Sequence, residues 1–195
     1  VSCFGSQDGV LNVTILGGGN YPYQFNWTNY GNSDSPNLFN LGAGQYQLEI
    51  TDNNGCLYYY EFTINSPSQP LIIESTSSLA SCYGIASGSA MVEATGGTQP
   101  YFYNWSSGHV TPNAEELFSG DYIVSVTDAS GCQLIDSVSV EENPQILTDV
   151  SSTANTCFGY SDGSASINST GGTGSLSYLW SNQSQQNDVF GLSFG

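Results

Sequence analysis

The sequence predicts an all-β protein built from tandem β-sandwich repeats of about 75 residues each. One ten-residue segment recurs three times, as GGNYPYQFNW (18–27), GGTQPYFYNW (96–105) and GGTGSLSYLW (171–180). Between glycine-rich turns, apolar and polar residues alternate with period two, and helical periodicity is absent. A unit of this size can bury its own core, so we expect beads on a string rather than a continuous solenoid.

Alignment of the copies divides the chain into repeat 1 (1–70), repeat 2 (71–144) and repeat 3 (145–195). A strand-like segment precedes the first cysteine of repeats 2 and 3, and nothing equivalent precedes Cys3. We therefore expect repeat 1 to lack its first strand and repeat 2 to be complete. Repeat 3 is expected to stop after its central strands.

In each repeat an alternating strand follows the first cysteine. In repeat 1 the alternating apolar residues are Leu11, Val13 and Ile15. A Gly-Gly turn follows, and the recurring segment then supplies a strand whose aromatic residues share one face. This strand ends in a tryptophan in every repeat: Trp27, Trp105 and Trp180. Leu176 replaces a tyrosine in repeat 3 without disturbing the pattern, which favours a core role over a sugar-stacking platform.

The segments 41–56 and 117–132 match position for position and predict the next strand and a hairpin. Tyr46 and Tyr122 fall on the inward phase of this strand, so we interpret both as core residues. The sequence Asp-x-x-Gly then supplies a tight turn into a last strand. Six or seven short strands with a buried tryptophan are typical of an immunoglobulin-like or PKD-like β-sandwich.

The cysteines occupy fixed places and lack the spacing of a metal site, which favours disulfides. Repetition favours pairing within each copy, Cys3 with Cys56 and Cys82 with Cys132, while Cys157 would have a partner outside these 195 residues. Pairing between copies, such as Cys56 with Cys82, is the alternative left open. Disulfides of either kind indicate an oxidising location outside the cytoplasm.

The chain has no Lys or Arg and 17 acidic residues, for a formal net charge of −17. Binding to nucleic acid or to an anionic membrane surface is excluded because both draw on basic side chains. With 13% aromatic and only 9% charged residues, the chain has the composition of a folded protein. The acidity is interpreted as surface charge that aids solubility, with diffuse Ca²⁺ binding as the alternative.

The residues of an enzyme site are not recognisable, so we predict that the chain is not an enzyme. His109 is the single histidine, and its sequence context predicts a surface loop. Asp52 and Asp128 are the acids that coincide between repeats 1 and 2. We interpret both as turn residues first and as weak Ca²⁺ candidates second. No cofactor is expected, Ca²⁺ being the one alternative left open.

The combined motifs strongly resemble the SprB repeat of giant cell-surface adhesins of gliding Bacteroidota. The resemblance is carried by Cys-Phe/Tyr-Gly, Pro-Tyr-x-Phe/Tyr-x-Trp, Leu-x-x-Gly-x-Tyr and Thr-Asp-x-x-Gly-Cys, at residues 3–5, 22–27, 41–46 and 51–56 of repeat 1 and at 82–84, 100–105, 117–122 and 127–132 of repeat 2. Repeat 3 carries the first motif at 157–159 and departs at Ser175-Leu176, which replaces Pro-Tyr.

The resemblance implies a long filament at the outer-membrane surface that is exported by type IX secretion, adheres to surface polysaccharide or another extracellular surface, and is moved by the gliding machinery. The implied partners are that machinery, the secretion apparatus of the outer membrane and neighbouring repeats of the same chain. Asp136-Ser137-Val138 resembles an O-glycosylation motif of that phylum and makes Ser137 a candidate site. The alternative function is a carbohydrate-binding or spacer array of a secreted hydrolase.

Overall fold

The computed structural model describes residues 1–31 and 33–193. These residues form β-strands joined by turns and loops, and no helix occurs among them. The prediction of an all-β fold is therefore confirmed. Within the same ranges, no helix long and apolar enough to cross a membrane is found.

Repeat 1 contains two small antiparallel sheets. Its strands are β1 (Gly9–Asn12), β2 (Gln24–Trp27), β3 (Asn37–Leu41), β4 (Gly44–Thr51) and β5 (Leu57–Ile64). The first sheet pairs β1 with β3, and the second has the order β2-β4-β5. Consecutive strands thus alternate between sheets until the final β4–β5 hairpin, which is the connectivity of a sandwich.

Repeat 2 has the same two-sheet arrangement with one further strand, and the described part of repeat 3 has one sheet. Their strands are β6 (Ile72–Ser78), β7 (Gly88–Thr95), β8 (Phe102–Trp105), β9 (Asn113–Leu117), β10 (Gly120–Thr127), β11 (Gln133–Val140), β12 (Leu147–Thr153), β13 (Gly163–Thr170) and β14 (Asp188–Leu192). The sheet orders are β6-β7-β9, β11-β10-β8 and β12-β13-β14. These strand pairings lie within the predicted repeat bounds, although the bounds as domain boundaries stay a prediction.

The register repeats as well as the strand order. Trp27 lies opposite Leu48 in the β2–β4 pair, and Trp105 lies opposite Val124 in the β8–β10 pair. The strand before the final hairpin also carries a left-handed residue at one fixed position in every repeat: Asn40, Glu116 and Gly191, with φ of 55°, 53° and 70°. Equivalent sequence positions therefore adopt equivalent backbone geometry.

The core of repeat 1 draws on both of its sheets, as a sandwich requires. Its buried residues are Trp27, Leu38, Leu41, Tyr46, Leu48 and Ile50. Partly buried apolar residues pack around them: Leu11, Val13, Ile15, Tyr23, Phe25, Phe62 and Ile64. The alternation seen in the sequence is thus the alternation between core and solvent faces, and the β-sandwich prediction is confirmed.

In repeat 2, buried apolar residues occur on strands of both sheets. They are Ala90, Val92, Trp105, Ala114, Leu117, Val124, Val126, Val138 and Val140. Of the five predicted core residues, Trp27, Tyr46 and Trp105 are buried. Tyr122 and Trp180 are only half-buried.

Two sequence predictions differ from the structure in the outer repeats. The alternating strand predicted for repeat 1 extends to Ile15, but β1 ends at Asn12. It has four residues and pairs only with β3, whereas β7 and β13 have eight and lie between two neighbours. In repeat 3 the predicted central strand before Trp180 is wrong, because residues 176–180 form no strand. β2 and β8 are held by pairing with β4 and β10, and the described part of repeat 3 supplies no such partner.

The chain folds into two compact units. The first comprises Val1–Thr76, Met91–Ala114 and Tyr122–Val138 and contains the core of repeat 1. The second comprises Ser77–Ala90, Glu115–Asp121 and Ser139–Gly195 and contains the β12-β13-β14 sheet.

Candidate functional site

The recurring tryptophan organises the same loop in all three repeats. Its indole N–H donates a hydrogen bond to a main-chain carbonyl six to eight residues later, at 2.7–2.9 Å; the acceptors are Ser35, Thr111 and Gln186. A tryptophan buried without such an acceptor would leave its one polar group unsatisfied. The bond forms even at half-buried Trp180, so the loop is a local structure that does not depend on strand pairing.

His109 lies in this loop, as the sequence predicts. Its carbonyl accepts the main-chain N–H of Trp105 at 2.9 Å, and its Nδ1 lies 2.9 Å from the Ser107 hydroxyl. The Ser107–His109 pair is exposed. A serine beside a histidine needs a third group to orient the base before it resembles a hydrolytic site, so His109 is best explained as a loop residue.

Asp128 holds two turns together. Its Oδ1 accepts the N–H groups of Ser130 and Cys132, both at 2.9 Å, which closes the Asp-x-x-Gly-Cys turn. Its Oδ2 accepts the N–H of Thr98 at 2.9 Å, in the turn that begins the recurring segment. The side chain is 2% exposed. One carboxylate therefore fixes two segments that are distant in sequence.

Asp52 performs the same role in repeat 1. Its Oδ1 accepts from Asn54 and Cys56 at 2.9 and 2.8 Å, and its Oδ2 accepts from Asn20 at 3.1 Å. The groups that face the carboxylate are N–H donors, which carry positive partial charge. A cation bound at this position would need oxygen ligands instead. Within residues 1–31 and 33–193, no group of three or more His, Cys, Asp or Glu could hold a metal ion. The geometry is that of a turn residue.

Hydrogen bonding lowers the pKa of both carboxyl groups. For Asp128, burial raises the pKa, but the N–H donors of Cys132, Thr98 and Ser130 outweigh that effect and the pKa falls below its ordinary value. For Asp52 the hydrogen bond from Cys56 is the largest cause of a lowered pKa, and burial opposes it. Both residues are therefore charged in the folded protein at neutral pH.

In repeats 1 and 2, a glycine at the start of the recurring segment makes room for the carboxylate. A Cβ on Gly97 would lie 2.6 Å from Oδ2 of Asp128, and one on Gly19 would lie 3.1 Å from Oδ2 of Asp52. Both glycines also have positive φ, +55° and +72°. The glycines in the sequence thus reflect a close approach between the two turns as well as a turn conformation.

Three tyrosine hydroxyls close turns in a way that the sequence did not predict. Tyr23 and Tyr101 donate to the carbonyls of Gly18 and Gly96, both at 2.6 Å. Tyr46 donates to the carbonyl four residues upstream at 2.9 Å, a contact like the tyrosine corner of immunoglobulin-like sandwiches. A sequence signal for these contacts was present, because each tyrosine follows the glycine that it binds by four or five residues.

The predicted pairing of the cysteines is wrong. The structure contains a disulfide between Cys3 and Cys132, with a Cα–Cα distance of 5.7 Å, and thus joins repeat 1 to repeat 2. The predicted bonds Cys3–Cys56 and Cys82–Cys132 are not formed. Cys56, Cys82 and Cys157 are free thiols and all three are exposed.

Strand length explains why pairing within a repeat fails. The N-terminal ammonium of Val1, two residues before Cys3, donates to the carbonyl of Asn65 at 2.7 Å, at the far end of β5. Cys56 precedes the same strand, whose eight residues span about 26 Å. A disulfide requires Cα atoms within about 7 Å. The two cysteines of one repeat therefore lie at opposite ends of its last strand.

Repeat 1 also contains an open groove of about 480 Å³. It lies between the segment after β1 and the β2-β4-β5 sheet, and its apolar and aromatic lining includes Ile15, Leu16, Tyr23, Tyr58, Tyr60 and Phe62. Tyr60 is 50% exposed and Tyr58 is 44% exposed. The tyrosines at alternate positions of β5 are thus partly exposed in the groove.

A strand covers the corresponding part of repeat 2. Asp136 on β11 occupies the position of Tyr60 on β5 and accepts a hydrogen bond at 2.6 Å from Ser75 of β6. The following residue, Ser137, is exposed, so its hydroxyl is accessible to a modifying enzyme. O-glycosylation of Ser137 stays a prediction.

Comparison with known proteins supports one family. Residues 75–110 and 150–185 match the family model described as the SprB repeat. No curated protein matches the chain. Among solved structures, the amphioxus IgVJ-C2 molecule is similar over 70% of this chain and 97% of its own, with 13% identity and a TM-score of 0.31. The two matched segments are thus identified as SprB repeats, which suggests a repeat segment of an adhesin-type cell-surface protein.

Proposed function

We propose that the chain is a load-bearing segment of a long adhesin filament that is secreted by the type IX system and used for surface adhesion in gliding motility. The observation that carries the proposal is the recurrence of one framework in a chain with SprB repeats. The tryptophan loop, which the indole hydrogen bond closes, occurs in all three repeats. The aspartate cap, in which one carboxylate accepts hydrogen bonds from two turns, occurs in repeats 1 and 2. A filament that supplies reach needs many equivalent folded units.

The charge supports an extracellular filament. A net charge of −17 without any Lys or Arg makes neighbouring segments repel one another. Such repulsion favours an extended array over self-association. A disulfide between two repeats also suits an oxidising environment outside the cell.

The proposal predicts where the chain is found on living cells. Fluorescent Fab fragments raised against residues 1–195 are expected to label intact gliding cells that produce the protein, as foci that travel along the cell. Fluorescence microscopy of living cells measures both the labelling and the movement. Monovalent Fab fragments are used because a bivalent antibody would cross-link filaments and create foci of its own.

The control is a Fab against a cytoplasmic protein of the same cells, which should label only lysed cells. Labelling by the anti-repeat Fab only after lysis would contradict the surface location. Labelled foci that stay fixed on gliding cells would retain the surface location and contradict a role in gliding.

A second candidate function, glycan binding, is favoured by the aromatic groove of repeat 1. Tyr23, Tyr58 and Tyr60 line a cavity large enough for a sugar residue, and aromatic faces pack against the apolar faces of sugar rings. Against this function, β6 covers the equivalent region of repeat 2. A glycan site here would be confined to repeat 1 and would not multiply along the filament.

Glycan binding predicts a difference between adjacent tyrosines of β5. Tyr60→Ala should weaken binding of a neutral polysaccharide by about tenfold, equivalent to about 1.4 kcal/mol, because Tyr60 lines the groove. Tyr59→Ala is the matched control, since Tyr59 is 71% exposed and is not among the groove residues. Titration calorimetry with the full chain measures both. Equal affinities for the two variants, or no binding by the unmodified chain, would exclude this site.

A further inference from the structure

The chain contains two kinds of cysteine, each held in its own recurring turn. The opening cysteines begin the first loop of each repeat and are Cys3, Cys82 and Cys157. The closing cysteines end the Asp-x-x-Gly-Cys turn and are Cys56 and Cys132. The disulfide of the structure joins one cysteine of each kind, from consecutive repeats.

The opening turn is built in the same way in all three repeats. The carbonyl of the cysteine accepts an N–H three residues later, from Ser6, Ile85 and Tyr160, at 3.0, 3.4 and 3.2 Å. The N–H of the residue before the cysteine donates to a side chain six residues on; the acceptors are Asp8, Ser87 and Asp162. The opening cysteines are therefore presented on equivalent turns whether or not they are bonded.

The acidic acceptors also bind hydroxyl groups of this turn. Hydrogen bonds from the hydroxyls of Ser2 and Ser6 lower the pKa of Asp8 to about 2. A hydrogen bond from the Thr156 hydroxyl likewise lowers the pKa of Asp162. The turn at free Cys157, like the turn at bonded Cys3, is therefore closed by main-chain and hydroxyl hydrogen bonds to an aspartate.

The closing turn is equivalent in repeats 1 and 2. The N–H of Cys56 donates to Oδ1 of Asp52 at 2.8 Å, and that of Cys132 donates to Oδ1 of Asp128 at 2.9 Å. The carbonyls of these cysteines accept the N–H of the same aspartates at 3.1 and 2.9 Å. Free Cys56 is therefore held in its turn like bonded Cys132.

We infer that the opening cysteine of each SprB repeat forms a disulfide with the closing cysteine of the next repeat. Cys3–Cys132 is the first such bond, and the same rule assigns Cys82 to a closing cysteine in repeat 3. Repeat 3 has no closing cysteine in this sequence, which accounts for the free thiol of Cys82. Cys56 and Cys157 would likewise bond only to repeats other than these three.

Each bond requires an oxidant. The two thiols lose their protons, the sulfur atoms join, and the two electrons reduce a dithiol-disulfide oxidant or a small-molecule disulfide to two thiols. The bonds would overlap along the chain, each closing a loop that extends from one repeat into the next. The inference concerns the covalent structure of the array and does not depend on the proposed adhesive function.

The test supplies the closing cysteine that Cys82 lacks. Gly195 aligns with Gly120, so a second copy of residues 121–143 is fused after Gly195 to complete repeat 3. The extended chain is oxidised with a glutathione redox buffer, free thiols are alkylated, and non-reduced peptides are mapped by mass spectrometry. The expected bonds are Cys3–Cys132 and Cys82 to the added cysteine, with Cys56 and Cys157 alkylated.

Two results would overturn the inference: a bond between Cys157 and the added cysteine, which is pairing within repeat 3, or alkylation of the added cysteine. A matched extension with serine in place of the added cysteine should leave Cys82 alkylated. The unextended chain provides an independent check, because a Cys3–Cys56 bond there would remove the basis of the rule.

Discussion

Replacing Trp105 by alanine is expected to lower the free energy of unfolding of repeat 2 by about 3–5 kcal/mol. Trp105 is 2% exposed, and its indole N–H bonds to the carbonyl of Thr111 at 2.9 Å. Alanine removes the buried ring, leaves a cavity, and leaves that carbonyl without its donor. A loss of this size is a large share of the stability of a domain of about 75 residues.

Repeat 3 supplies the matched control for this substitution. Trp180 makes the same indole hydrogen bond, to Gln186 at 2.7 Å, but its ring is only half-buried. Trp180→Ala should therefore cost less than half as much, because less apolar area returns to water. Thermal unfolding of the full chain, followed by near-ultraviolet circular dichroism, compares the two variants. Equal losses would mean that the loop, rather than core burial, is the main contribution of the tryptophan.

The comparison between these tryptophans shows what could be predicted from the sequence. The alternation of apolar residues and the period of the motifs predicted the sandwich strands, because burial on one face is a local property of a β-strand. Burial of Trp180 could not be predicted in this way, since it depends on a partner strand for residues 176–180. A recurring segment forms a strand only where the strand that pairs with it is also present.

The disulfide shows a different limit. Regular spacing of the cysteines along the chain indicated disulfide bonding, but it favoured pairing inside a repeat, and the structure has pairing across repeats. The choice depends on the length of β5, which separates the two cysteines of one repeat by about 26 Å. It also depends on Cys3 lying near Asn65, at the far end of β5, and no local pattern in the sequence reports that long-range contact.

The aspartate cap was half predictable. Asp-x-x-Gly indicated a turn, and Asp52 and Asp128 were recognised as turn residues. The second turn that each carboxylate holds, through Asn20 or Thr98, lies about 30 residues away in sequence. No local pattern reports such a contact, although the glycines that make room for it were visible.

Replacing Asp128 by asparagine is expected to lower the unfolding midpoint by about 10 °C at pH 7. Asparagine keeps one oxygen for the N–H groups of Ser130 and Cys132, but its amide group then faces the N–H of Thr98, a donor against a donor. Thermal unfolding of the full chain measures the midpoint. Asp149→Asn is the control, because Asp149 is exposed on β12 and should leave the midpoint unchanged within error.

The difference between Asp128→Asn and the unmodified chain should depend on pH. Because folding lowers the pKa of Asp128, its charged form stabilises the folded state above the ordinary aspartate pKa of about 3.9. This stabilisation is lost as the pH falls through the lower pKa of the folded state. The two midpoints should therefore converge below about pH 4 and differ fully from about pH 5 upward. A difference that stays constant between about pH 2 and pH 7 would mean that Asp128 contributes through shape alone, and the charge of the carboxylate would then not be what holds the two turns together.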